Sequence, residues 1–468
     1  MNETNDILNE LKNQAFECIE VMSRLSGEEL GKLAITFGAI KRTRELKDVK
    51  ALLMVLIIYA VSDFSLKTLP LIGTIVGATF RPISDTAWRK RINKCSAWIG
   101  ALLHTTFVEY APVHVTYVKI GGGLRIFLLD ATVLKQVGQN GDELRAHVAF
   151  DLTTGATSEI VITDNKTAEG VQNFTIQPGC LYIADSAYGK GKQMDYIISK
   201  GAFALFRCSP NHISISLDPN GKKKINTAKL LKTRKGIVDR WVYIHTENGK
   251  RTHVRIVAGR LPEDKALLAR ERKIRTSKKN GNEIKEETLI YGEWVIVITN
   301  LSNDYSAETV LQLYRSRWQI ELLFKRFKQH LKLTRIKKAS FEHSKVIFQL
   351  QWLFWLAVEK EALMVELALL ETIQNKETMA LYSPWTIYNL LFNSAMAKIN
   401  AFWAYCLNSY ILLQNFYKHL LNHKDSRCNH YAGFRFGLDG HLPQLAIDHD
   451  TPLPVPDDNR NFSSLNAA

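Results

Sequence analysis

Tyr314, Arg317, Glu321 and Lys328 follow one another at intervals of three, four and seven residues in the segment LYRSRWQIELLFKRFKQHLKL. The segment reads as one helix over about 306–333. At about 100° per residue the four side chains share an arc of about 60°. Trp318, Lys325 and Lys332 fall on or beside that arc. Leu313, Ile320, Leu323, Phe324, Phe327 and Leu331 occupy another face, at about 180–280° by the same arithmetic. One carboxylate among cations and aromatics suits a metal ligand beside groups that grip phosphate. The plain alternative is a solvated face laced with ion pairs.

Two aspartates decide between these readings. The apolar runs FLLD and YIAD end in Asp130 and Asp185. A carboxylate at the end of a buried strand points into the crevice where ligands of such sheets bind. Taken singly, each is also what a turn-forming Asp looks like. With Glu321 they make three hard oxygen donors from two strands and one helix. Such a set can hold two Mg²⁺ or Mn²⁺ ions about 3.5–4 Å apart, the arrangement for phosphodiester displacement.

The elements that must position these groups can be traced by period. Residues 1 to about 115 read as helical, with KALLMVLIIYAV as a core helix. A helix-turn-helix is expected next. It has a short helix near 65–77, a turn through Gly77–Pro82, and a second helix capped by Ser84 or Asp85. That second helix would show Arg89, Lys90, Arg91 and Lys94 to solvent, as a recognition helix does. From about 115 the period changes to strands: 124–132, a hairpin of 145–155 with 156–165, 180–189 and 202–209. AEGVQNF reads as a short helix and KGKQMDYIISKG as a longer one. Residues 210–293 are mixed, with short alternating strands such as RWVYIHT and THVRIVAGR, and EWVIVITN is a further strand. Residues 340–425 are helical and rich in Trp, Leu and Phe, and 426–468 loses all period.

Composition narrows the partners. The 468 residues carry a formal net charge of +15. Between 221 and 280 stand 19 Lys+Arg against 5 Asp+Glu, so nearly the whole excess sits in one segment. Trp241, Tyr243 and His245 are interleaved there, which points to nucleic acid. A disordered basic loop is the alternative. The longest apolar run, ALLMVLIIYAV, is too short to cross a bilayer, so no membrane partner is expected. No secretory signal opens the chain, and six scattered cysteines without a CxxC pair fit a reduced, cytoplasmic protein. A metal-binding, strongly basic chain of this kind reads as a polynucleotide phosphoryl-transfer enzyme.

At this point the residues resemble a known family. FLLDAT and YIADSAYG are similar to the two Asp motifs of DDE transposases. The helix matches the Y-x2-R-x3-E-x6-K signature of bacterial insertion-sequence transposases of the YREK, insertion-sequence-4-like, type. The resemblance covers about 124–335. It implies an α/β fold: a ribonuclease-H-like catalytic domain with a β-rich insertion, flanked by helical regions. The division expected is a DNA-binding region at 1–115 and the first part of the catalytic domain at 116–209. A basic insertion at 210–293 follows, with the catalytic domain completed over 294–338. A helical region at 339–425 and an irregular tail at 426–468 close the chain.

The resemblance also implies roles. Asp130, Asp185 and Glu321 become the catalytic metal ligands, with two Mg²⁺ or Mn²⁺ ions as cofactors. Tyr314, Arg317 and Lys328 grip phosphates near the element end. Trp294 stacks on a flipped base, and Trp318 probes the base stack, core packing being the alternative for both. Arg207, Lys222, Lys223, Lys224, Arg89 and Arg91 are further DNA contacts. The partners are double-stranded DNA, as terminal inverted repeats and target, and a second copy of the chain in a synaptic dimer at the bacterial nucleoid. The reaction is cut-and-paste transposition through a hairpin. The competing readings are a transposase-derived DNA binder or repressor that does not cut, and a structure-selective nuclease. A zinc set of His423, Cys428, His430 and His441 fits no standard spacing.

Overall fold

The computed structural model describes residues 25–41, 46, 48–62, 64–110, 123–134, 144–234, 236–246, 250–281, 283–331, 339–372 and 384–408. The tail at 426–468 and the His423, Cys428, His430, His441 set lie outside them.

Helices come first: α1 (Gly27–Thr36), α2 (Val49–Val61), α3 (Leu69–Ile75), α4 (Asp85–Lys94) and α5 (Ser96–Tyr110). α2 starts where the Asp48 carboxylate accepts from the Lys50 amide at 2.8 Å, and every residue from Ala51 to Ala60 is buried. The two helices expected there are present as α3 and α4, with Ser84 Oγ accepting from Ala87 N at 3.2 Å. Gly73 lets them close: a Cβ there would come within 2.3 Å of the Trp88 ring.

Among the described residues one sheet of nine strands follows, in the order β3-β2-β1-β4-β5-β9-β8-β7-β6. β1 (Ile126–Leu134), β2 (Leu144–Asp151) and β3 (Ala156–Asp164) form an antiparallel meander. β4 (Leu181–Ala184) and β5 (Phe203–Arg207) continue from β1 in parallel. α6 (Gly191–Ser199) links β4 and β5. β9 (Trp294–Thr299) then pairs antiparallel with β5 on one side and with β8 (Arg251–Arg260) on the other. β7 (Ile237–His245) and β6 (Ile215–Ser216) finish the sheet.

The 210–293 segment therefore extends the same sheet rather than forming one of its own. It is also less β-rich than expected: α7 (Thr227–Lys232), α8 (Glu263–Lys279) and α9 (Glu286–Gly292) lie within it. α8 buries only Ala266, so it has no apolar stripe for period reading to find.

After β9 come α10 (Ala307–Arg315), α11 (Trp318–Leu331), α12 (Phe341–Thr372) and α13 (Pro384–Asn408). The single helix expected over 306–333 is thus two. At the break, the Ser316 and Arg317 amides donate to the carbonyls three residues back, Leu313 and Tyr314, and Ser316 Oγ donates to Leu313 O at 2.6 Å. The chain tightens to 3₁₀ geometry there and restarts with Trp318.

Each face of the sheet has its own core. Ile126, Leu128, Leu181 and Ile183 pack with the N-terminal helices and with α10 to α13. Phe127, Leu129, Tyr182 and Ala184 pack with α6, α7 and β6 to β9. Among the described residues no helix is long and apolar enough to cross a membrane.

Candidate active site

Strand period sets the first two carboxylates. Leu129 on β1 and Ala184 on β4 are register partners, so Asp130 and Asp185 stand on the next rung of adjacent parallel strands, roughly 4.8 Å apart in strand spacing. By alternation each follows the parity of Leu128 and Ile183, toward the face covered by α10 to α13. Asp130 accepts from the Ala131 amide at 2.8 Å, and Asp185 accepts from Ala187 N at 2.9 Å, which closes a tight turn after β4. Gly189 ends that turn where a Cβ would meet Arg207 O at 1.9 Å, so no larger residue fits.

α11 brings the third. Its apolar residues Ile320, Leu323, Phe324 and Phe327 bury into the helical core, leaving Glu321 half-buried. Arg317 joins the set: one Nη hydrogen-bonds Glu321 and the other lies 3.9 Å from Asp130 Oδ2. Burial works against the Arg317 charge, yet Glu321, Tyr314 and Asp130 hold it above its ordinary range. Burial pushes the Asp130 carboxyl up to about 7; Asp185 and Glu169 add to the rise, and the Ala131 amide and Arg317 oppose it. Tyr314 is 8% exposed, with the Arg317 guanidinium 6.0 Å from its ring centroid. Burial raises its hydroxyl pKa, and Arg317 and Arg207 work the other way. Lys328 is lowered by burial and drawn back up by Asp130.

The donor chemistry fits a hard divalent cation at the Asp130–Asp185 pair, where two carboxylates repel across one rung. Glu321 stands differently. Among the described residues no three His, Cys, Asp or Glu side chains form a ready metal cage. Arg317 lies between Asp130 and Glu321 and supplies the positive charge instead.

The other expected contacts divide. Arg207 ends β5, is exposed, and reaches Tyr314 electrostatically. It also borders a groove of about 910 Å³ that starts at Ser186, next to Asp185. Lys265, Leu268, Ala269, Arg272, Lys273 and Thr276 of α8 line the groove at helical spacing, and Trp294 lies in its floor. Trp294 is only 2% exposed, so ordinary core packing accounts for most of its surface. Trp318 is 58% exposed and does not fill space. Lys222, Lys223 and Lys224 are exposed on the turn after β6, at the far edge of the sheet. That edge is five strand spacings, about 24 Å, from β4. On α4, Arg89 is exposed near Tyr59 and His343, whereas Arg91 is half-buried with its Nε enclosed, not fully solvent-facing as expected.

Sequence reasoning missed Glu169, which reaches Asp130 and Asp185 electrostatically, and the α8 side of the groove. AEGVQNF gave Glu169 away only as an acid before a glycine after a strand. The polar ends of α8, Glu263 and Asp264 in its first turn and Lys278 and Lys279 in its last, were the helix signal available.

The Transposase DDE domain family matches residues 121–356. The chain is 27% identical over 356 residues to the transposase InsL named for insertion sequence element IS186A of Escherichia coli (strain K12), covering 70% of this chain and 87% of that one. It is 27% identical over 357 residues to the transposase for insertion sequence element IS421 of Escherichia coli, with the same coverage. It is 23% identical over 350 residues to the transposase for insertion sequence element IS231C of Bacillus thuringiensis subsp. berliner, covering 66% of this chain and 72% of that one.

Proposed function

This chain belongs to the DDE-domain transposases, which act on DNA in moving transposable elements, and from that premise we propose that it excises and inserts an insertion sequence by cut-and-paste. Strands β1 to β5, in the order β3-β2-β1-β4-β5, are read as a ribonuclease-H-like core, and the YREK subtype is read from the helix spacing. Asp130, Asp185 and Glu321 are the residues that hold Mg²⁺ or Mn²⁺, two ions when loaded. Bound there, divalent cations supply Lewis-acid stabilisation of the attacking and leaving oxygens.

The remaining roles belong to this chain's own side chains. Tyr314, Arg317 and Lys328 orient the scissile phosphate beside the carboxylates, Arg317 as a planar fork and Lys328 as a point charge. Arg207 and the α8 cations carry the strand away along the groove, with Trp294 at its floor. Trp318, already exposed, offers a ring to an unstacked base in the hairpin step. The 1–115 region, with Arg89 and Arg91 on α4, binds the terminal repeats, Lys222 to Lys224 hold flanking DNA, and a dimer bridges two ends.

One observation carries this reading. Asp130 and Glu321, 191 positions apart in the chain, meet on one guanidinium, with Asp185 on the neighbouring strand at the rung of Asp130. The test is purified protein, Mg²⁺ and a supercoiled plasmid bearing the element's terminal inverted repeats. Double-strand breaks at the ends are expected, and Glu321→Gln abolishes them while keeping end binding. Binding with no cleavage by the wild type would make the chain a repressor-like binder, and untargeted cutting a nuclease.

A further inference from the structure

Trp241, Tyr243 and His245 lie in the basic stretch of the chain, and the fold gives them a common surface. Leu205, Thr299, Arg255 and Trp241 are register partners across β5, β9, β8 and β7. Leu205 packs on the side of the sheet covered by α10 to α13, so Trp241 stands on the face that Asp130 and Asp185 follow. Tyr243 and His245 come at every second residue of β7, and His253 is the register partner of Tyr243 on β8. Cover ends along this face from one rung to the next. Arg255 is 2% exposed and bonded to the Ser302 and Tyr305 carbonyls, whereas His253 and His245 are exposed and Trp241 and Tyr243 half-buried.

The rings stack on one another. The His253 ring centroid lies 4.9 Å from that of Trp241 and 4.7 Å from that of Tyr243, each pair inclined by 30°. Trp241 is pinned at its edge, where Nε1 donates to Asn303 Oδ1 at 2.9 Å. Cross-strand aromatic pairs stabilise sheets, and that alone could place rings here.

The surroundings point further. Tyr243 pairs with Ser216, and Ser216 bridges to Lys224, so the basic turn after β6 continues the rung that carries the rings. His245 pairs with Arg251, whose Nη1 donates to Ser216 Oγ at 3.3 Å. Gly221, at φ 74°, lets the turn lie against that guanidinium, since a Cβ there would stand 2.3 Å from Nη2. Nearby acids are already committed. The Asp218 carboxylate accepts from the Asn220 and Lys222 amides, and Asp239 accepts from Arg255. Lys222, Lys223 and Lys224 are exposed, and among the described residues no carboxylate pairs with their ammonium groups.

Stacked rings beside uncommitted cations suit a single nucleic-acid strand: ring faces take bases and cations take the phosphates between them. A duplex keeps its base faces covered, so rings stack on bases only where these are unpaired. β7 lies four strand spacings, about 19 Å, from β4, which sets the stack apart from the carboxylates. Trp294 packs into the core of the opposite face, so the stack is separate from the groove floor too.

We propose that Trp241, His253 and Tyr243, with Lys224 and Arg251 alongside, form a second DNA site that stacks the bases of an unpaired strand away from the catalytic carboxylates. This rests on the DNA-acting reading above and involves no metal.

The experiment is fluorescence anisotropy with the full-length protein in chelator and three probes: an oligothymidylate, an abasic chain of equal length, and a duplex terminal repeat. Thermal melting checks the folding of each variant. Trp241→Leu and Tyr243→Leu keep apolar bulk but lose the ring. Each weakens oligothymidylate binding about tenfold and leaves the abasic chain and the salt slope unchanged. Tyr243→Phe keeps the ring and the affinity. Lys224→Gln weakens both single-stranded probes and lowers the slope by about 0.7. If the leucine variants bound oligothymidylate like the wild type, the stack would be strand packing alone. If they lost both single-stranded probes equally, base stacking would be wrong. A wild type that binds the duplex repeat but does not prefer oligothymidylate to the abasic chain would end this proposal and leave the transposase reading standing. A wild type that binds none of the three would sink both.

Discussion

The two halves of the sheet each bury a charge, and they treat it in opposite ways. On β8, Arg255 is 2% exposed and fully answered. Its Nε and Nη2 donate to the two oxygens of Asp239, and its Nη1 donates to Ser302 O at 2.8 Å and Tyr305 O at 2.7 Å. On β1, Asp130 keeps one amide at 2.8 Å and a guanidinium at 3.9 Å, and faces further carboxylates as well as that cation. A buried charge with every bond made is architecture. A buried charge left short of partners is stable only while the rest of the fold holds it there, and it marks where an outside charge belongs. Burial alone does not separate the two; the count of partners does.

The contrast is sharpest if one charge from each half is removed. Asp185→Asn lowers DNA cleavage at saturating Mg²⁺ by about 10³-fold or more, equivalent to about 4 kcal/mol of transition-state stabilisation. Its urea midpoint stays at or above that of the wild type, since a repulsion is relieved. Arg255→Leu does the reverse. It strips the donors from two carbonyls and unpairs Asp239, which is itself exposed, costs about 1–3 kcal/mol of folding stability, and leaves cleavage per folded molecule unchanged. If Asp185→Asn destabilised the fold as Arg255→Leu does, the acidic centre would be architecture too.

Asp130 gives a smaller effect with a defined pH window. Its carboxyl, ordinarily near 3.8, is pushed up to about 7 chiefly by burial. The folded protein therefore keeps a proton that the unfolded chain has released. The stability this group contributes is whole below about pH 4 and is lost as pH rises through about 7. Asp130→Asn cannot ionise, so without divalent cations it should match the wild type at pH 4 and exceed it at pH 8. The gap is bounded at about 4 kcal/mol by the size of the rise. Urea unfolding in chelator at the two pH values checks this, and equal stability at pH 8 would remove the case for a strained acid. Added Mn²⁺ should close the gap from the wild-type side.

Much of this centre was legible because burial writes itself into sequence. FLLD and YIAD are runs buried on both faces of the sheet, and runs of that kind are visible without any partner. The Ser84 cap and the α2 core helix were legible for the same local reasons. What was not legible depended on contacts distant in the chain or on missing contrast. α8 is charged nearly all round, so no stripe marked it. The 3₁₀ break at Ser316–Arg317 came from a side chain bonding its own backbone, which splits the helix and aims Arg317 between Asp130 and Glu321. The joining of β8 to β9 into one nine-stranded sheet is a pairing between strands that both look ordinary. Glu169 lies on a loop whose position comes from Arg145, Asn173 and Gln193, and none of these announces it locally.

The outer half itself holds two basic stretches, and they make the finest comparison. Lys265, Arg272 and Lys273 line the groove that opens beside Asp185. Lys222, Lys223 and Lys224 stand on an exposed turn at the far edge, with the Asp218 carboxylate accepting from two of their amides. Each phosphate contact contributes about 0.9 to the slope of log K against log salt, so replacing either triplet with Gln lowers that slope by up to about 2.7. Slope alone does not tell the two apart. Single-turnover cleavage with all DNA bound does: the groove triplet slows it, because those side chains steer the strand next to the carboxylates, and the turn triplet leaves it unchanged. Equal slowing by both would mean that DNA runs along the whole outer half. An unchanged slope for Lys222 to Lys224 would take that turn out of the interface and confine binding to the groove.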